Sequence, residues 1–161
     1  MIKYNLNDWH EDDISLSVIG ISSHYADYKT AYTINRILQS NLKCSQEPYC
    51  RSTSGLSERF VFYKNNASKV LPDFFLIDNQ SLIERNNIAL GPLFKESTSS
   101  SHKFLKKLVN WDYLLLFTID SQAIKPIFQD LLSAFHLIQL IEFQSLSKDD
   151  RYTFTTFYYE N

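Results

Sequence analysis

Between Ile14 and Leu38 the hydrophobic spacing changes period within one short stretch. Ile14, Leu16 and Val18 stand two apart, as one face of a strand requires, whereas Tyr28, Ala31, Asn35 and Leu38 stand three or four apart, as one face of a helix requires. The pattern predicts a strand over 14–23 and a helix over 28–38, joined by the polar residues His24-Tyr25-Ala26-Asp27. Ser22, Ser23 and Asp27 are of the types that cap a first helical turn, and Asp27 also sets negative charge near the positive helix end. The junction has no glycine-rich phosphate loop.

The same reading extends along the chain. Ile2 to Leu6 predicts a short strand, followed by the acidic turn from Asp8 to Asp13. The stretch from Arg51 to Ser57 reads as a loop, Phe60 to Tyr63 as a strand, Asn65-Asn66 as a turn, and Val70 to Ile77 as the returning strand of a hairpin, with Pro72 at its beginning or on an edge. Breaks follow at Asn86-Asn87 and Gly91-Pro92, a polar loop at 95–101, and a short helix over 103–109 with Phe104, Leu105 and Leu108 on one side. The last third predicts a strand over 113–119, a helix over 124–138 with Pro126 in its first turn, a strand over 140–143 and a final strand over 152–158. Together these elements predict a single α+β domain over 1–161, a mixed sheet with packed helices and a C-terminal β-α-β unit.

Composition agrees with one self-sufficient core. The chain has 161 residues, 44% of them hydrophobic, with 12 Phe, 10 Tyr and 2 Trp against only 3 Gly and 4 Pro. The net charge of −2 gives no positive field for nonspecific nucleic-acid binding. No run approaches the length of a membrane span and the first ten residues carry no apolar signal core, so the expected location is cytoplasmic. Cys44 and Cys50, with five residues between them, fit neither paired zinc-ligand spacing nor a disulfide framework, and are expected as reduced thiols.

Val18-Ile19-Gly20-Ile21-Ser22-Ser23, followed by Asp27-Tyr28 and a helix through Asn35, resembles the strand-helix junction of the bacterial IPExxxVDY family. The family's naming motif falls on residues 105–113, where Asp112 and Tyr113 match it literally. Leu105, Lys106, Lys107 and Trp111 stand in place of its Ile, Pro, Glu and Val. The resemblance covers the order of elements over most of the chain. It implies a shared fold and supplies no catalytic residues.

Four polar groupings carry the candidate chemistry. Ser22, Ser23, His24 and Asp27 contain the residue types of a hydrolase triad but lack the G-x-S-x-G elbow, and helix capping is their expected role. His10, Glu11, Asp12 and Asp13 lack recognised metal-ligand spacing, so neither metal nor cofactor is expected. Asp112, before the strand that begins at Tyr113, is a candidate acid, base or ligand whose usual role would be structural, and Asn35 is expected to bond to the adjacent sheet. The aromatic run from Tyr152 to Tyr159 and the basic residues His102, Lys103, Lys106 and Lys107 suit single-stranded RNA less well than a core or a protein interface, because the RNP pattern is absent. The expected function is therefore a noncatalytic interaction or regulatory domain with a protein partner or a second copy of itself. A small-ligand site or an enzyme built on Asp112, and RNA association, are the alternatives.

Overall fold

A computed structural model of the chain describes residues 15–53, 56–66, 68–84, 102–105, 107–108 and 110–161. The strand expected at 2–6, the acidic turn at 8–13, the breaks at 86–87 and 91–92 and the loop at 95–101 lie outside the described residues. The described residues form β1 (Ser17–Ser22), α1 (Asp27–Leu38), β2 (Lys43–Cys44), β3 (Tyr49–Thr53), β4 (Leu56–Phe60), β5 (Phe62–Asn65), β6 (Phe74–Asp78), β7 (Leu82–Glu84), β8 (Tyr113–Phe117), α2 (Lys125–Leu132), β9 (Leu137–Glu142) and α3 (Lys148–Glu160). This is the expected α+β domain.

A six-stranded sheet runs in the order β2-β5-β6-β8-β1-β9, and a three-stranded sheet in the order β3-β4-β7. Every paired neighbour is antiparallel. No parallel pair occurs among the described strands: β8 and β9 run in the same direction but do not pair, because β1 is inserted between them. The β8-α2-β9 unit thus exists as a crossover that skips one strand.

The central strands are buried on both faces, so they read as continuous apolar runs: residues 74–77 and 113–117 are buried throughout. On one face Ile19, Ile21, Leu76, Leu115 and Phe117 pack against α1 through Ala31, Ile34 and Leu38, and against α2 through Leu131. On the other, Val18, Phe75, Ile77, Leu114 and Leu116 meet α3 and the small sheet through Phe154, Phe157, Tyr49 and Phe60. The molecule is therefore layered, two helices over the large sheet and a helix with the small sheet beneath it.

Four expectations are corrected. Of the residues read as a loop at 51–57, those up to Thr53 lie in β3 and those from Leu56 in β4, where the antiparallel ladder and the Arg51–Glu58 ion pair hold a polar sequence extended. The single strand expected at 60–63 is split at Val61, where the chain leaves the small sheet and enters the large one. No helix occupies the described residues of 103–109; Lys103 instead bridges Gln80, and Phe104 and Leu105 are buried. The final strand expected at 152–158 lies in α3: Ser147 caps the helix by accepting from the Asp150 N–H at 3.2 Å, and Phe154 and Phe157, three apart, face the core. The strand expected over 70–77 starts only at Phe74, so Pro72 precedes β6 and lies outside it, whereas Pro126 lies in the first turn of α2 as expected. The helix α2 is shorter than predicted, because Phe135 and Ile138 continue its apolar spacing beyond its end.

Candidate functional site

Most of the polar residues singled out in the sequence gather at one end of the large sheet. The register sets Ser22 opposite Leu137, Ile21 opposite Tyr113, and Tyr113 opposite Asp78, so the end of β1, the start of β8, the end of β6 and the start of β9 share one rim. The first turn of α1 sits over this rim, since Asp27 accepts from the Tyr63 hydroxyl at 3.2 Å and the Tyr113 hydroxyl donates to Tyr25 O at 2.6 Å.

Asp112 is the hub of this junction. Its Oδ2 accepts from Ser22 Oγ at 3.1 Å and from the Ser23 N–H at 2.9 Å, while its own N–H donates to Ile21 O at 3.0 Å. These bonds tie the exit of β1 to the entrance of β8. The capping role expected for Ser22, Ser23 and Asp27 is corrected: α1 has Ala26 at its N-cap and no side-chain cap, because the two serines are occupied by Asp112 and by the turn, where Ser23 Oγ accepts from the Tyr25 N–H. Asp27 does stand in the first helical turn, where its charge suits the dipole. His24 is exposed in the preceding turn and joins none of these contacts.

Asn35 clamps the loop that follows α1. Its Oδ1 accepts from Ser40 Oγ at 2.8 Å and from the Leu42 N–H at 2.7 Å, and its Nδ2 donates to Leu42 O at 3.2 Å. The partner is thus the connection into β2, in place of the expected bond to the sheet.

The sequence reading missed Asp78. Burial pushes its carboxyl up to about 6; Asp27 and Asp112 push the same way, against the Gln80 N–H and Lys103. Burial, then Asp78, pushes the Tyr113 phenol up to about 12, and burial, then Asp27, raises Tyr63. An acid at the end of an otherwise apolar strand was the available signal for Asp78.

A second polar cluster lies on the small sheet. Glu58, 2% exposed, receives Arg51 Nε at 2.7 Å on one oxygen and contacts His102 Nδ1 with the other. Arg51 also donates to Phe104 O at 2.9 Å and Lys103 O at 3.0 Å, and its guanidinium lies over the Phe60 ring, 5.0 Å from the centroid. Buried Asn79 completes the support, donating to Leu108 O and Trp111 O and accepting from the Leu105 N–H. Arg51 is consumed by these contacts, so the cluster fastens residues 102–105, Leu108 and Trp111 to both sheets. The opposite charges of Arg51 and Glu58, seven residues apart in a polar stretch, were its sequence signature.

Among the described residues no group of three His, Cys, Asp or Glu is placed to hold a metal ion, and no helix is long and apolar enough to cross a membrane. Cys44 and Cys50 are free and exposed. The large apolar side chains left at the surface include Tyr25 just before α1, Tyr28 and Tyr32 along it, Leu132 at the end of α2, and Leu137 at the start of β9, which is 63% exposed. The strand β9 is an edge strand: it pairs with β1, and among the described residues no strand pairs with its outer side. Compared with protein-family models, curated proteins and solved structures, the chain matches none.

Proposed function

We propose that this protein is an interaction or regulatory domain that receives a protein partner along the outer edge of β9. The observation that carries the reading is the edge itself, six residues long, unpaired on its outer side among the described residues, and beginning at the exposed Leu137. An unpaired row of backbone N–H and C=O groups is satisfied by an added strand, with alternate side chains supplying specificity. The opposite edge, β2, is two residues long and offers little to pair with. The IPExxxVDY resemblance agrees with this reading in supplying a fold and no reactive residue.

The alternatives draw less support. Both hydrogen bonds accepted by Asp112 join β1 to β8, so its carboxylate is engaged in structure. The aromatic run weighed for RNA lies on a helix that turns Phe154 and Phe157 into the core, and His102 of the basic patch is held by Glu58.

The test is a tagged pull-down of the full chain from its native cell after nuclease treatment, repeated with Leu137→Lys. The expected result is a reproducible protein complex that the substitution abolishes while the circular dichroism spectrum is unchanged. Capture indifferent to Leu137→Lys overturns the reading, as does turnover of a metabolite that Asp112→Asn removes without unfolding the protein.

A further inference from the structure

The sequence through β9 is a near-palindrome. His136-Leu137-Ile138-Gln139-Leu140-Ile141-Glu142 is centred on Gln139, with an aliphatic residue at each of the two flanking positions on either side and opposite chemistry, imidazole against carboxylate, at the ends. We infer that the partner of this edge is a second copy of the chain, the two β9 strands pairing antiparallel about a twofold axis at Gln139 to make one twelve-stranded sheet. The inference rests on the reading of β9 as the docking strand and commits that reading to one partner.

The pleat restricts the choice of register. Ile141 packs on the α3 side of the sheet, while Ile138 and Leu140 pack on the α1 and α2 side. Directly opposed residues of an antiparallel pair share a face, so a slip of one residue would confront the two sides with each other. The admissible registers place one residue opposite its own copy. With Gln139 on the axis, Leu137 meets the partner's Ile141, Ile138 meets the partner's Leu140, and His136 meets the partner's Glu142. Centring on Leu140 instead sets Ile138 against the partner's Glu142, an apolar side chain against a charge.

Exposure fits the same arrangement. Leu137, Gln139, His136 and Glu142 are exposed, so the groups that would confront the second copy are available at the edge. The strand carries neither Lys nor Pro, the residues that commonly protect an edge, and its sole charge stands at its last position. The twofold repeats each contact, so His136 and Glu142 form two cross-strand pairs per dimer.

Sedimentation equilibrium of the full chain over a dilution series tests the inference. The wild type is expected to dimerise. His136→Glu places two carboxylate pairs face to face and should weaken the dimer about tenfold. Combining it with Glu142→Lys restores opposite charges in this register alone and should recover the dimer. In a Cys44→Ser, Cys50→Ser background, Gln139→Cys brings two thiols together across the axis, at a Cα separation of about 4.5–5.5 Å, and mild oxidation should link the copies. Gln122→Cys, exposed and outside β9, should not link them. A wild type that is monomeric at every concentration, a dimer indifferent to the charge exchange, or linkage no better at 139 than at 122 overturns the inference. A monomer whose capture of another protein is still lost on Leu137→Lys would defeat the second copy and leave the docking reading standing; indifference in both assays would defeat both.

Discussion

Asp78 shows how a single residue's surroundings set its chemistry. Its carboxyl is raised from an ordinary value of 3.8 to about 6, first by burial and then by Asp27 and Asp112. A raised acid binds its proton more tightly in the folded protein than in the unfolded chain. The penalty is therefore absent below about pH 4, grows as pH rises through 6, and is complete above it. Asp78→Asn should stabilise the protein at pH 8 by about 1–2 kcal/mol, the full two-unit effect being reduced by partial exposure to water. The gain should vanish near pH 3.5, and urea denaturation at several pH values checks this; a gain independent of pH would refute it. Asp112 teaches the complementary point. The sequence marked it as a polar residue before an apolar strand, yet its bonds to Ser22 and Ser23 span some 90 residues of chain and depend on β1 and β8 being neighbours.

At the scale of elements, strand and helix identities were legible where periodicity and burial agreed. The period change between Ile14 and Leu38 located β1 and α1, and the run from Tyr113 located β8. It failed where local preference and tertiary packing disagreed. Tyr, Phe and Thr favour strands, but residues 148–160 form a helix because Ser147 starts it and the layer beneath the sheet takes Phe154 and Phe157 from one helical face. Gly20 gives the converse case, a strand residue whose small size is demanded from outside its element. A Cβ built there would lie 2.6 Å from Trp111 Cδ2 and 2.7 Å from Trp111 Cγ, atoms at the inner part of the indole. Gly20→Ala should cost about 1–3 kcal/mol through overpacking, read by chemical denaturation, with a shifted Trp111 fluorescence. An unchanged midpoint would show that the indole moves aside freely.

Across the whole molecule, Phe157 joins the layers. Its ring meets Tyr49 of the small sheet at 5.2 Å, Phe62 and Phe75 of the large sheet at 5.1 and 5.2 Å, and Phe104 at 5.7 Å, all near edge-to-face. Phe157→Ala should cost about 3–5 kcal/mol, and hydrogen exchange should show β3 and β4 losing protection together with α3. Loss confined to α3 would mean that the small sheet holds its position without this ring. The chain by itself determined the α+β class, the position of the main buried strands and the absence of a recognisable reactive motif, because these follow from the spacing of apolar residues and from residue types at fixed offsets. Only the tertiary structure decided that β1 lies between β8 and β9, that the chain switches sheets at Val61, that Asp78 joins Asp27 and Asp112 on one rim, and that β9 ends the row of strands among the described residues. The physical reason is that a local pattern says which face of an element is buried, whereas the identity of the neighbour that buries it depends on contacts between residues far apart in the chain.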